Sequence, residues 1–120
     1  MPNQNQPAFI ETPTFEFPIE NRAVENCLKE GANYFGSNPA NSIVFPGEAV
    51  APFAGILFLR NNSVLMRVAS SVDIKHNQIS ADNLVIYTED IALVLTYGEL
   101  KFRILMDQGK LVVSFITLTR

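Results

Sequence analysis

The sequence predicts a mainly β protein: an antiparallel β-sandwich or small β-barrel of about seven to eight strands, with one short N-terminal helix and an extended N-terminal arm. Three observations support this fold class. From Ile43 onward, short apolar runs alternate with tight turns. Several of these turns contain Asn or Gly, the residues that tolerate positive φ. The 120 residues and 48% hydrophobic content suffice for one domain with a buried core.

Residues 1–20 are predicted to form the extended arm. Pro7, Pro13 and Pro18 interrupt the stretch PAFIETPTFEFPIE, and prolines confine a segment to polyproline-like or edge-strand geometry. Apolar and polar residues alternate in TPTFEFPIE, which gives an extended chain one apolar side. Fully extended, twenty residues reach roughly 66 Å, far enough to cross a neighbouring subunit.

Residues 21–120 are predicted to form a single β-rich domain. Asn21 is a suitable N-cap for a short helix near 22–30 that ends at Gly31, because the apolar residues of RAVENCLKE form one stripe. The following GANYFGSNPANS is rich in Gly and Asn and predicts an irregular loop. GEAVA, bracketed by two prolines, also predicts a loop. The predicted strands lie near 42–46, 54–60, 63–69, 71–75, 83–88, 91–97, 99–106 and 110–119.

Three short stretches predict tight turns between these strands. RNNS, between GILFL and VLMRV, is a two-residue hairpin signal because Asn tolerates positive φ. YGE and DQGK each contain a glycine and predict two further turns.

The last predicted strand, KLVVSFITLTR, is apolar on both faces, and GILFLR and NLVIY repeat this pattern. An antiparallel sheet with one solvated face carries polar residues on that face. Two explanations stay open: the helix packs on an outer face, or the outer face meets another subunit, because monomers rarely expose such patches. The two sets on the last strand are Leu111, Val113 and Phe115 on one face and Val112, Ile116 and Leu118 on the other.

The negative charge is concentrated in the arm. Glu11, Glu16 and Glu20 lie in the first twenty residues, which contain no Lys or Arg, and the remainder carries nine acidic and nine basic residues. A neutral body exerts no long-range attraction on nucleic acid or an anionic membrane, so neither is an expected partner. An acidic arm is attracted to a basic surface, on a partner or a sister subunit. The basic residues considered for this contact are Arg60, Arg67, Lys101 and Arg103.

The residues that carry chemistry are few, so no catalysis and no cofactor are expected. His76 is the one histidine and Cys27 the one cysteine, whereas a zinc-type site needs three or four converging ligands. Ser71, Asp73 and His76 are close in sequence, but a triad requires the histidine between nucleophile and acid. Neither a G-x-G-x-x-G pattern nor a P-loop occurs. A lone cysteine is typical of a chain in a reducing compartment.

These observations favour a non-enzymatic structural or assembly protein of the virion type, such as a phage capsid decoration or cement subunit, that docks through its arm. The expected partners are a major assembly subunit or neighbouring copies, with a homo-oligomer such as a trimer. The expected location is the virion or the cytoplasm, because MPNQNQPAFIE lacks the basic residues and apolar run of a secretory signal. The predicted partner-interface residues are Phe9, Ile10, Phe15, Phe17, Ile19, Val112, Ile116 and Leu118.

Alternatives stay open for both the arm and the function. The arm either covers a sheet edge of its own domain or lies on a different chain. One alternative function is a soluble β-sandwich module that binds a carbohydrate or peptide through exposed Tyr34, Tyr87 or Tyr97. Another is a small phage-type inhibitor or anti-defence protein.

Overall fold

The structure, a computed structural model, describes residues 15–16 and 27–117, with side chains for residues 27–115. Within these residues the fold is mainly β, with two sheets and no helix, and is consistent with a β-sandwich. The predicted fold class is confirmed at this level. The strands in this part of the chain are β1 (Phe15–Glu16), β2 (Gly31–Gly36), β3 (Ile43–Val44), β4 (Gly55–Arg60), β5 (Ser63–Val68), β6 (Lys75–His76), β7 (Ile79–Ser80), β8 (Asn83–Tyr87), β9 (Leu95–Tyr97), β10 (Leu100–Asp107) and β11 (Lys110–Thr117).

The strands form two sheets, named sheet A and sheet B. Sheet A has six strands in the order β1-β11-β10-β9-β6-β7, and sheet B has five in the order β3-β2-β4-β5-β8. The described pairs are antiparallel, except that β2 and β3 run parallel. Antiparallel neighbours can be joined by two-residue hairpins, which accounts for the short connections predicted from the sequence.

Two-residue turns with positive φ close several hairpins. Asn61 (φ 51°) and Asn62 (φ 62°) join β4 to β5, as RNNS predicts. Gln108 (φ 53°) and Gly109 (φ 83°) join β10 to β11, as DQGK predicts. Residues 77–78 join β6 to β7 in the same way, with φ of 53° and 70°. Paired positive φ values match the right-handed twist of the flanking strands, so these turns fix the strand register locally.

Four phenylalanine rings fill the core between the sheets. Phe35 belongs to sheet B, Phe102 and Phe115 belong to sheet A, and Phe45 follows β3; none is more than 2% exposed. The ring centroid of Phe45 lies 4.8 Å from that of Phe35, 4.9 Å from that of Phe102 and 4.8 Å from that of Phe115. Burying a side chain of this size contributes about 1.5–3 kcal/mol. The cluster therefore holds the two sheets together.

The prediction of an irregular loop after Gly31 is wrong over Gly31–Gly36, which is strand β2 and lies between β3 and β4. Asn33 explains the difference. It is 1% exposed, and its Nδ2 donates to the carbonyls of Lys29 (2.9 Å), Gly31 (3.1 Å) and Leu57 (3.1 Å). Its Oδ1 accepts the Lys29 N–H at 2.9 Å. Because the buried amide is hydrogen-bonded, tertiary contacts override the usual preference of Asn for loops.

The helix predicted near 22–30 does not extend over residues 27–30, and residues 22–26 lie outside the described part of the chain. Cys27 forms an isolated antiparallel bridge with Val112, and the Leu28 N–H donates to the Leu111 carbonyl at 2.9 Å. A nine-residue helix is marginal on its own. Pairing with the edge of β11 satisfies the same main-chain groups, so the extended conformation is favoured.

The remaining predicted elements differ from the structure mainly in length. The long apolar runs near 54–60, 63–69, 83–88, 99–106 and 110–119 correspond to β4, β5, β8, β10 and β11, with 118–119 outside the described residues. The strands predicted near 42–46 and 91–97 shrink to the two or three residues of β3 and β9. The strand predicted near 71–75 is wrong over residues 71–74, since β6 begins only at Lys75, and β7 was not predicted. GEAVA is a loop, as predicted. The N–H of its last residue, Ala51, donates to the Tyr97 hydroxyl at 2.8 Å, which ties this loop to sheet A.

Candidate binding surface on the five-stranded sheet

The side chains considered for catalysis do not converge. His76 Nδ1 lies 3.3 Å from the Val94 carbonyl, and His76 Nε2 lies 3.3 Å from the Asn77 side-chain amide. Asp73 instead accepts a hydrogen bond from the Ser80 hydroxyl at 2.6 Å. None of the described contacts places the histidine between a nucleophile and an acid, which is the arrangement that a triad requires.

Asp73 lies at the surface with two partners that favour its charged form. The hydroxyl of Ser80 donates to one carboxylate oxygen, and the ammonium of Lys75 lies 3.3 Å from the other. The Ser80 hydrogen bond, followed by the contact with Lys75, lowers the pKa of Asp73 below its ordinary value. A carboxylate stabilised in this way is a weaker base, so the arrangement is typical of a surface turn rather than of a proton-transfer site.

The side chains that could bind a metal are dispersed over residues 27–115. In that part of the chain, no three His, Cys, Asp or Glu side chains lie close enough to hold a metal ion. The described residues also contain no helix with the length and apolarity needed to cross a bilayer.

An open cleft of about 600 Å³ lies between the loop at residues 48–52, the segment at 71–75 and the turn at 96–98. The Tyr97 side chain lines it, but the hydroxyl of that residue is already bonded to the Ala51 N–H. Tyr87 is partly buried against the core, and Tyr34 is 53% exposed on sheet B. The three tyrosines considered for ligand binding therefore do not line one concave face.

The outer face of sheet B, which points away from the core, is apolar. Strand β8 shows the alternation: Ile86 is 0% exposed, whereas Val85 is 47% exposed. One row of directly paired residues crosses four strands, from Ala32 to Phe58, Leu65 and Val85. Neighbouring strands lie about 4.8 Å apart, so the row is roughly 14 Å long. A solvated sheet face normally carries polar residues, and this row carries none.

A second row lies two residues further along the strands. Tyr34 is opposite Ile56, which is opposite Arg67, which is opposite Asn83. Tyr34 is 53% exposed, and Val44 on β3 is 42% exposed. The surface formed by the apolar members of both rows, together with Val44, is named the outer B face. Its members are Ala32, Tyr34, Val44, Ile56, Phe58, Leu65 and Val85.

Arg67 places a positive charge directly on the outer B face. Its guanidinium carbon lies 5.7 Å from the Phe58 ring centroid, and its Nε donates to Asn83 Oδ1 at 3.1 Å. A cation over an aromatic ring at an exposed site is worth about 0.5–1 kcal/mol. Arg60 is exposed at the end of β4. The outward residues of β2, β3, β4, β5 and β8 include no Asp or Glu, so the outer B face is apolar and cationic.

The second set of predicted interface residues lies on β11. Val112 belongs to the set expected to face outward, yet it is only 2% exposed, and Ser114 on the same face is 0% exposed. Both faces of β11 are therefore covered here within the single chain. The main chain of Ile116 pairs with Glu16, and Leu118 lies outside the described residues.

The arm residues of the predicted interface are described only in part. The main chain of Phe15 pairs with Thr117 on β11 of the same chain, in agreement with the edge-covering alternative. The prediction that these side chains contact a partner stays a prediction. The other predicted arm contacts, Phe9, Ile10, Phe17 and Ile19, lie outside the described residues.

Sequence reasoning located only part of the outer B face. The doubled apolar pattern of GILFLR and NLVIY correctly indicated an apolar outer surface on β4 and β8. The contribution of β2 was missed because GANYFG was interpreted as a loop. The alternation in that stretch was the available signal, since Ala32 and Tyr34 flank the buried Asn33 with period two.

Comparison of the chain with known protein families, with curated proteins and with solved structures finds no match.

Proposed function

We propose that the chain is a non-enzymatic structural subunit that assembles with other copies of itself, with the outer B face as a contact surface. The observation that carries the proposal is the apolar row from Ala32 to Val85 across four neighbouring strands. Contiguous apolar surface of this kind is typical of protein interaction sites.

The side chains of the outer B face that remain partly exposed would become buried on association. Tyr34 is 53% exposed, Val85 47% and Val44 42%. Completing the burial of side chains of this size contributes roughly 1 kcal/mol each, about half of the value for full burial. Association costs at least several kcal/mol in lost freedom. The face therefore supports assembly in combination with further contacts, and the arm predicted from the sequence is the candidate for these.

The proposal that the subunit is not an enzyme rests on its chemistry. The chain has one histidine and one cysteine, and the described contacts of His76 are with Val94 and Asn77. A subunit that decorates or cements a virus particle is the specific form of assembly protein that the sequence favours. That form stays a prediction, together with the location in a virion or the cytoplasm.

The experiment is light scattering on the purified full-length chain over a range of concentrations. We expect an oligomer for the wild type and a particle near the monomer mass of 13.3 kDa for Leu65→Glu, which places a charge in the middle of the apolar row. Ser70→Glu adds the same charge at an exposed turn outside the face and should leave the oligomer intact. Circular dichroism verifies that each variant is folded. A wild type that stays monomeric at every concentration contradicts the proposal.

A further inference from the structure

We infer that the outer B face binds the acidic segment 11–20 of a second copy, so that the contact between copies is head-to-tail. The inference rests on the proposed function, because it specifies which part of a second copy the face receives. It follows from the charges on the outer B face, from the spacing of apolar residues in the segment and from the edge of sheet A where Phe15 and Glu16 of that segment pair with β11.

The positive charges on the outer B face favour a partner surface that bears carboxylates. Arg67 lies over the Phe58 ring in the middle of the face, and Arg60 ends the same strand as Phe58. The outward residues of the strands that form the face include no Asp or Glu. Face-to-face association of two copies would bring these arginines together without a counter-charge, and like charges at an interface are costly.

Segment 11–20, with the sequence ETPTFEFPIE, has the complementary chemistry. It contains three glutamates and no Lys or Arg. Phe15, Phe17 and Ile19 are spaced by two residues, which corresponds to about 7 Å in an extended chain. Ile56 and Phe58 on β4 are also two residues apart and project from the same face, so an extended segment can match apolar groups to apolar groups while its carboxylates reach the arginines.

The prolines of the segment favour side-chain contact over a longer strand. β1 pairs with β11 through only two residues, Phe15 and Glu16. Pro13 and Pro18 flank this pair and have no N–H to donate, so they limit how far main-chain pairing can continue. The segment is therefore anchored at an edge of sheet A in its own chain, and the contact proposed here is made by its side chains on sheet B of a neighbour.

A contact between two different surfaces is heterologous. Such a contact produces a ring when the rotation between copies closes, and an open chain when it does not. A face-to-face contact would instead produce a closed dimer. The stoichiometry therefore distinguishes the two arrangements.

The test uses two full-length variants and their mixture. The face variant carries Arg60→Glu and Arg67→Glu, and the arm variant carries Glu11→Lys, Glu16→Lys and Glu20→Lys. We expect each variant alone to lose association by about tenfold or more, because each change replaces attraction by repulsion. Mixed in equal amounts, they should associate again. The intact segment of the face variant meets the intact face of the arm variant, and the reversed segment meets the reversed face with opposite charges, so both contacts can form.

A control substitution and three further outcomes distinguish failure of the inference from failure of the proposed function. Lys110→Glu reverses a charge at the β10–β11 turn, away from the outer B face, and should leave association unchanged. If circular dichroism shows that a reversed variant does not fold, the corresponding Gln substitutions replace it and should weaken association less. If the wild type forms a dimer, and the same dimer forms in both variants and at high salt, the inference is overturned while the proposed function stands. A mixture that stays monomeric while the wild type associates also overturns it. A monomeric wild type overturns the proposed function itself.

Discussion

Asn33→Ala tests whether the buried amide stabilises β2. The side chain is 1% exposed and takes part in four hydrogen bonds, of which the bond to the Leu57 carbonyl joins two buried groups. Losing that bond removes a hydrogen bond between two buried groups and leaves space where the amide was, at a cost of about 1–3 kcal/mol. The three part-buried bonds to Lys29 and Gly31 can be replaced by water and add a few tenths of a kcal/mol each. We expect a total loss of about 2–4 kcal/mol in the free energy of unfolding.

Urea denaturation at 25 °C measures this loss as a lower midpoint at unchanged slope. Asn38→Ala is the matched control, because it removes one exposed hydrogen bond, from the Ala40 N–H to Asn38 Oδ1 at 2.8 Å. That variant should lose less than about 1 kcal/mol. If the two variants are equally stable, the buried amide is not what stabilises β2 and the reasoning is refuted.

Asn33→Asp sharpens the test because it keeps the shape of the side chain. The substitution replaces the Nδ2 donor by an oxygen that faces the same three carbonyls. Burial and this surrounding raise the pKa of the introduced carboxyl in the folded state. A raised folded-state pKa means that the deficit relative to the wild type is smallest at low pH and grows as the pH rises through the unfolded-state value. A deficit independent of pH would contradict the buried position.

Two further predictions concern a close backbone contact and a surface carboxylate. In Gly55→Ala the new Cβ would lie 2.3 Å from the Arg67 carbonyl oxygen, so β4 and β5 must separate there, and we expect a loss of about 1–3 kcal/mol in urea denaturation. In Gly98→Ala the new Cβ would meet no atom within 4 Å, but residue 98 has a positive φ of +63°. This variant therefore measures the cost of the positive φ alone, about 1 kcal/mol. Equal losses in the two variants would argue against the steric effect at Gly55. In Ser80→Ala the pKa of Asp73 should rise toward its ordinary value, because the largest cause of its lowering is removed. The wild-type carboxylate contributes stability above the unfolded-state pKa and loses it as the pH falls through the lowered folded-state value. NMR titration of the carboxyl checks the shift, and an unchanged pKa would rule out the hydrogen bond as its cause.

The turns were the most predictable part of the fold. Asn61, Asn62 and Gly109 adopt the positive φ expected of them, because that preference is a property of the residue and its immediate neighbours. The long apolar runs that became β4, β5, β10 and β11 were predictable for the same reason, since an apolar run bounded by turn residues is visible within six to eight residues.

Elements whose conformation depends on distant partners were not predictable. β2 contains glycines and an asparagine, and it is a strand because Asn33 bonds to Leu57, 24 residues away. Cys27 and Leu28 are extended because the edge of β11 offers hydrogen bonds. Similarly, nothing within the sequence neighbourhood of Asp73 indicates that its partner is Ser80 rather than His76.

The positions of the hairpin turns, the apolar strand segments and the acidic character of the arm follow from the sequence alone, because each depends on residue types a few positions apart. Tertiary packing, in contrast, selects which apolar face is core and which is the outer B face. Leu57 and Phe58 are both apolar neighbours on β4, yet Leu57 is 0% exposed and Phe58 remains partly exposed. A strand that is apolar on both faces does not specify which face is buried, so the burial of one of them depends on where sheet A packs.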